Sequence, residues 1–290
     1  MKTVAIIIPT YRDWDRLRLC LNSIDRMSYP KENISVFVVN NDVDSNCPFP
    51  LPNNVVLLEE PKPGSYSARN KALEQVKNNF NYIAFTDSDC IVDENWLTNA
   101  IELFDSNSHV SRIGGRIDIF PQGEKVNTFL LIYEKAFAFD QRYYTTRQNM
   151  AATANLVVRS EVFDSVGGFN EKLLSGGDSE WGQRAAACGF NIMYADNVVI
   201  HHPSRGSFSE IIVKTRRESA GHLRKNGKKE FFNTLLGFAP PIKSGVRLCG
   251  NSSLTCFEKC IAFFIRYYLR LISTFEKIFV GLFNKSEERR

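Results

Sequence analysis

The sequence predicts an α/β fold, a largely parallel central sheet flanked by helices, followed by a helical, basic and amphipathic C-terminal extension. Three observations carry this. Tyr82-Ile83-Ala84-Phe85 is an apolar run without polar alternation, the signature of a strand buried on both faces, and it ends at Asp87-Ser88-Asp89. Val4–Ile8, Ile34–Val39 and Val55–Leu58 are further apolar-rich runs that read as strands, the first two separated by a helical period. Over Phe257–Phe283 the polar residues fall into one sector of a helical wheel.

In order along the chain, Val4–Ile8 reads as a strand broken by Pro9-Thr10-Tyr11-Arg12. Leu17, Cys20, Leu21 and Ile24 then recur at helical spacing, with Asp13 as N-cap and Tyr29-Pro30 as the stop. Ile34–Val39 is a second strand closed by Asn40-Asn41-Asp42, and Pro48, Pro50 and Pro52 mark an irregular connection to a third, Val55–Leu58. The loop Glu59–Ser67 opens a helix over Ala68–Val76. Beyond the Asp87 strand, a helix is expected over Trp96–Phe104, a strand over Arg112–Phe120 and an aromatic helix over Phe129–Phe139. Ala151–Val158 reads as a strand broken by Asn155, and Ser175–Arg184 opens a helix that Gly189 ends. A last strand, Asn197–Ile200, delivers His201-His202-Pro203.

The 290 residues are 43% apolar, ordinary for a folded chain, but the net charge of +4 is divided unevenly. Residues 1–200 carry 19 Lys/Arg against 25 Asp/Glu, and residues 201–290 carry 17 against 7. A basic tail on an acidic body suggests a polyanionic surface as the tail's partner. Seven cysteines without a Cys-x-x-Cys give neither a disulfide framework nor a zinc knuckle, and point to a reducing compartment. Met1-Lys2 runs straight into Thr3–Ile8, too short and wrongly flanked for a signal peptide, and no run reaches the roughly 18 to 20 apolar residues of a spanning helix. The expectation is a cytoplasmic protein, peripheral on the cytoplasmic face of a membrane.

Residues two apart on a strand share a face, so Asp87 and Asp89, at the carboxyl end of a central strand, could hold a hard cation and a phosphate together. Taken alone, Asp-x-Asp is more often a pair of turn aspartates capping a helix, and context must decide. Part of that context is the Gly64 turn. A glycine at a helix start lets backbone N–H groups approach an anion, with Lys62 and Arg69 adding positive charge; a solvated turn is the alternative.

The rest of the context is an ordered set: Pro9-Thr10-Tyr11 after the first strand, Pro-Gly-Ser-Tyr-Ser-Ala-Arg-Asn ending at Asn70, Asp87-Ser88-Asp89, Gly167-Gly168-Phe169, Gly177-Asp178-Ser179-Glu180, and His202-Pro203-Ser204-Arg205. Over roughly residues 3–205 this resembles the family 2 glycosyltransferases of the GT-A, Rossmann-like fold. The resemblance implies inverting transfer of a sugar from a nucleotide-diphosphate donor to an acceptor hydroxyl of a glycan or lipid-linked molecule, assisted by Mn²⁺ or Mg²⁺, in cell-surface polysaccharide or glycoconjugate synthesis. Pro9, Thr10 and Tyr11 would line the nucleotide pocket, with Asn40 at the base, Arg69 near the diphosphate, and Asp87 and Ser88 toward the donor. Asp89 would be the metal ligand, with Asp87 beside it and His202 as a phosphate or metal contact, and Asp178 the general base. Many relatives carry Asp where this chain has Asn40, and Glu where it has Gly177.

Independently of the family, an acceptor hydroxyl needs a carboxylate to take its proton, and a first-turn position favours the ionised form of Asp178. Glu180 is its rival, although its i, i+4 spacing to Arg184 predicts a supporting ion pair. Asn155 and Trp181 are candidates for the acceptor side, Trp181 by stacking on a sugar, although its helical spacing with Ala185 fits core packing equally.

The implied organisation is a catalytic domain over residues 1–205, a basic acceptor-side or linker segment over 206–250 and an amphipathic helix over 251–290. The basic segment includes Lys214, Arg216, Arg217, Arg224, Lys225, Lys228 and Lys229. The helix keeps Glu258, Lys259, Arg266, Arg270, Ser273, Glu276 and Lys277 within about 120°, and its broad apolar face must be buried on the catalytic domain, a second copy or a membrane interface. Its composition favours the membrane. No nucleic-acid recognition module is legible. A catalytically silent nucleotide-sugar-binding scaffold is the competing function; a nucleotidyltransferase would need a glycine-rich loop that the first strand lacks.

Overall fold

The computed structural model describes residues 2–76, 79–121, 127–219, 234–250 and 254–283. The chain divides into two compact units, Met1–Asp118 with Phe139–His202, and Ile119–Ala138 with Pro203–Arg290.

The first unit is built on the expected sheet. Strands β1 (Val4–Thr10), β2 (Ile34–Asn40), β3 (Val55–Glu59), β4 (Tyr82–Phe85), β5 (Ile91–Val92), β6 (Val110–Phe120), β7 (Leu156–Arg159) and β8 (Asn191–Pro203) lie in the order β3-β2-β1-β4-β7-β6-β8-β5. The first four are parallel, whereas β7 runs antiparallel to β4 and β6, and β5 antiparallel to β8. The sheet is therefore mixed, with β4 at the junction of its two halves. Every residue of β1 and β4 is buried, as unbroken apolar runs require.

Helices cover the sheet because their apolar residues recur at helical spacing. Ala5, Ile7, Val39, Ile83 and Phe85 share a core with Ala68, Ala72 and Leu73 of α2 (Ser65–Val76) and with Phe163, Phe169 and Trp181. Val4, Ile6 and Ile8 alternate to the opposite face and are just as buried. Helix α1 (Trp14–Asp25) stops well before Pro30, closing on Arg26. Asp13 stands at its N-cap position without capping the backbone N–H groups, because its carboxylate is taken by the Arg16 side chain, Nε at 2.6 Å, and Ser88 Oγ at 3.1 Å. Helix α3 (Trp96–Ser106) matches its expected place.

The second unit begins with α4 (Thr128–Phe137). In the first unit α5 (Gln141–Gln148), α6 (Glu161–Val166) and α7 (Gly177–Ala187) follow. Helices α5 and α6 were not expected: α5 has only two buried residues and α6 is too short for a periodic pattern. Strand β8 starts earlier than expected, at Asn191: residues 191–194 are exposed or half-exposed, and Asp196 and Asn197 interrupt the apolar run that precedes Val198.

The second unit also contains α8, helical over 208–219, α9 (Ile242–Cys249) and the long α10 (Cys256–Phe283). The expected basic residues Arg224, Lys225, Lys228 and Lys229 lie outside the described residues. The two sides of helix α10 are engaged differently. Only one flank of its apolar face is buried, with Ala262 packed against Ile132 and Ala136 of α4, and Leu269 against Leu130, Tyr133 and Ile211. The polar sector is engaged within the same unit instead of facing solvent. Arg266 donates to Tyr133 Oη, Arg270 to the carbonyls of Leu236 and Gly237, Ser273 bonds Ser219, and Glu276 pairs with Arg216. Unpaired carbonyls and hydroxyls on the neighbouring elements attract the polar side chains, and the aromatic flank is left outward. No helix among the described residues is long and apolar enough to cross a membrane.

Candidate active site

The parallel registers define where the site forms. Thr10 pairs with Asn40, and Ile7 with Phe85, so Pro9-Thr10-Tyr11, Asn40 and Thr86-Asp87 leave the sheet at one edge, the carboxyl ends of β1, β2 and β4. The antiparallel pair Ile91↔His201 carries His202 back beside Cys90 and Asp89. This register brings His202 Nε2 to 3.7 Å from Asp89 Oδ1, although the two are far apart in sequence. Phe139 packs its ring on the imidazole at 4.6 Å, and His202 is buried.

One oxygen or nitrogen of Asp87, Asp89 and His202, with the sulfur of Cys90, lie within 4.8 Å of one another. Two carboxylates and an imidazole are a hard to borderline donor set, suited to Mn²⁺ or Mg²⁺ with positions left for a ligand's oxygens. Burial pushes the Asp89 carboxyl above its usual range, opposed by His202 and reinforced by the negative charge of Asp87. A divalent cation would relieve that crowding of acids. The Cys90 thiol is fully buried and pushed well up, which keeps it protonated and a poor ligand.

Arg69 is 3% exposed and donates from Nη2 to Asp87 Oδ1 at 2.6 Å, while its Nε and the hydroxyls of Thr10 and Thr86 are buried without partners. Arg69 also lies over the Tyr66 ring, whose hydroxyl is 3.4 Å from Asp178 Oδ1. The second carboxylate centre is thus linked to the first through Tyr66 and Arg69, both from the first turns of α2. Asp178 is the second residue of α7, behind Gly176 at φ 77°, and accepts from Ser179 N at 2.9 Å. Burial nevertheless raises its carboxyl above the usual range, outweighing the Ser179 N–H and Arg69. This reverses the expectation that the helix start alone would set its ionisation.

The other expected residues divide. Glu180 and Arg184 form the expected pair, Nε to Oε1 at 2.9 Å and Nη2 to Oε2 at 3.1 Å, and Arg184 also reaches the carbonyls of Val166 and Gly168. Ser88 is buried and bonded to Asp13, and Tyr11 is 46% exposed beside Arg12. Asn40 spends its amide on its own loop, donating to Ser45 O and accepting from Asp42 N. Lys62 does not join Arg69: it pairs with Glu171 at 2.6 Å, a carboxylate that Asn70 also holds. The Gly64 N–H is likewise taken, by Asn41 Oδ1 at 2.8 Å.

Trp181 is corrected outright. It is 1% exposed, stacked on Phe163 at 4.8 Å and bonded to Gly167 O, which leaves no face for a sugar. Asn155 is corrected too. Fully buried, it accepts from Trp96 Nε1 and donates to Arg116 O and Val198 O, so it joins strands and faces no ligand. Two contributors were missed. Tyr66 stood unassigned inside a recognised motif, although its i, i+3 spacing to Arg69 was legible. Asn41, which also bonds the carbonyls of Glu60 and Lys62, carried no signal beyond being an asparagine after a strand.

An acidic pair after a parallel strand, a histidine that an antiparallel strand returns to it, and a further carboxylate in the first turn of a helix belong to a class of α/β enzymes that work on a ligand at the sheet's carboxyl edge. The family model described as glycosyltransferase like family 2 matches residues 2–221, and the chain belongs to this family of glycosyltransferases. Glycosyltransferase AglE of Haloferax volcanii is 31% identical over 229 residues, 76% of this chain and 73% of that protein. The mannosyltransferase PcManGT from Pyrobaculum calidifontis, solved in complex with GDP-Man and Mn²⁺, superposes with a TM-score of 0.63 at 15% identity, over 98% of this chain and 88% of its own. TarS of S. aureus in complex with UDP-GlcNAc gives a TM-score of 0.55 at 17% identity, over 97% and 90%. At these identities the two structures show the fold, that of the GT-A glycosyltransferases.

Proposed function

We propose that this glycosyltransferase moves a sugar, with inversion, from a nucleotide-diphosphate donor to a hydroxyl of a glycan or lipid-linked acceptor. It does so with Mn²⁺ or Mg²⁺ and works peripherally on the cytoplasmic face of a membrane, in cell-surface polysaccharide or glycoconjugate synthesis. The observation that carries the reading is the grouping of Asp87, Asp89 and His202 at the strand ends, linked through Arg69 and Tyr66 to Asp178. The ligands of the solved neighbours support the donor class.

Asp89, with Asp87 and His202, would hold the cation, which when bound neutralises charge on the leaving diphosphate. Arg69, buried and fixed on Asp87, brings a second positive charge to the same edge. Its Nε and the hydroxyls of Thr10 and Thr86 are buried groups that a donor's oxygens would satisfy. Pro9 and Tyr11 form the pocket wall, and Asn40 shapes the base end through the loop that it holds. Asp178 takes the acceptor proton, and its raised carboxyl makes it a stronger base than a solvated aspartate. Tyr66 Oη keeps that carboxylate oriented, and Glu180 keeps Arg184 in place behind it.

The test is calorimetry across nucleotide sugars with and without Mn²⁺, on the wild type and on Asp89→Ala. One donor should bind in a cation-dependent manner, and Asp89→Ala should lose the cation-dependent part while keeping its thermal unfolding curve. Equal Mn²⁺-dependent affinity in the variant would refute the assignment.

A further inference from the structure

We infer that the outward flank of α10 is a lipid-docking surface, an aromatic stripe that seats the second unit on an anionic bilayer interface. The inference deepens the membrane part of the proposed function and does not depend on the chemistry assigned to Asp178. Phe257, Phe264, Tyr268, Phe275 and Phe279 are 74%, 68%, 50%, 61% and 45% exposed. At 100° per residue all five fall within about 60° of the helix circumference, along roughly 33 Å of its length. Burial normally claims such side chains first, yet the unit has used the opposite side of the helix for its internal contacts. In the same unit, helix α9 also exposes apolar side chains, Ile242 and Val246, 71% and 70% exposed and one turn apart.

The chemistry of the side chains chooses between occupants. The side chains are aromatic, whereas a helical seam is built from Leu, Ile and Val, and aromatic rings favour the lipid–water boundary. Charge points the same way. Residues 201–290 carry 17 Lys/Arg against 7 Asp/Glu, so the unit that exposes the stripe is also the one attracted to anionic headgroups.

The test uses the full chain in flotation with vesicles of phosphatidylcholine alone or mixed with phosphatidylglycerol. Wild type should float with the mixed vesicles, and less with phosphatidylcholine. The double variant Phe264→Ser, Phe275→Ser, with its fold checked by circular dichroism, should lose binding by roughly tenfold or more. A separate Phe264→Trp variant should blue-shift on mixing and be quenched by brominated acyl chains. Undiminished flotation of the double variant, or an indole that stays in water, overturns the inference. So does a wild-type dimer that the double variant converts to monomer, which would make the stripe a subunit seam. Donor affinity measured on the same samples separates the two readings: flotation without donor binding would leave the docking surface standing and remove the proposed chemistry.

Discussion

Asp178 is a carboxylate on which burial and position pull in opposite directions, and burial prevails. Its folded carboxyl lies above the unfolded value, so its contribution to stability is present below the usual carboxylate range and is lost as pH rises through the folded value. At neutral pH the charge is therefore a cost, and Asp178→Asn should melt at the same or a higher temperature than wild type; a lower melting temperature contradicts this. Turnover needs the ionised form, so the acid limb of the pH–rate profile should lie above the ordinary aspartate range of about 4. The neighbouring Gly177 is explained by Tyr66, whose ring lies 2.6 Å from where a Cβ would stand. Gly177→Ala should cost about 1–3 kcal/mol in denaturant unfolding, because backbone and ring must both shift. That pairing accounts for the departure from the family pattern at Gly177 without invoking decay of the enzyme. Asp87, Asp89 and Asp178 could be singled out in the sequence because their neighbours form ordered motifs, and the structure places Asp87 and Asp89 together and links Asp178 to them through Tyr66 and Arg69. Trp181 and Asn155 were misread because sequence shows residue type and spacing, whereas burial and partners decide between a core residue and a ligand contact.

At the scale of elements, α7 is held at two points. Glu180 fixes Arg184, and Arg184 in turn reaches the turn at Val166 and Gly168. The pair is partly solvated, so Glu180→Gln should cost only about 0.5–1 kcal/mol and leave donor affinity unchanged. The deeper support is Arg112, 1% exposed, which donates to the carbonyls of Asn149, Gly182 and Phe190. Arg112→Met would leave these acceptors unpaired and should destabilise by about 3 kcal/mol or more, read as a lower denaturation midpoint; a midpoint near wild type would contradict the role. Strands with unbroken apolar runs were legible to within a few residues. Short α6, polar α5 and the first part of β8 were not, because each lacks the hydrophobic period that distinguishes helix from strand. The antiparallel return of β7 and β8, which carries His202 to Asp89, depends on pairing between distant segments and leaves no local trace.

For the whole molecule, the division of charge was legible from composition, as was the existence of an amphipathic C-terminal helix. The outward side of that helix was not, because it depends on which carbonyls and hydroxyls of α4, α8 and the Leu235–Phe238 turn needed partners. The central claim is that one edge of the sheet holds a nucleotide sugar while Asp178 takes the acceptor proton. The most direct measurement compares turnover and donor affinity in wild type and Asp178→Asn, using the donor identified by calorimetry. The account predicts that turnover falls by about 10² or more while the dissociation constant for the donor stays within a few-fold, as expected when an interaction is made only in the transition state. Undiminished turnover in Asp178→Asn, with transfer abolished instead by Glu180→Gln, would contradict it and assign the base to Glu180.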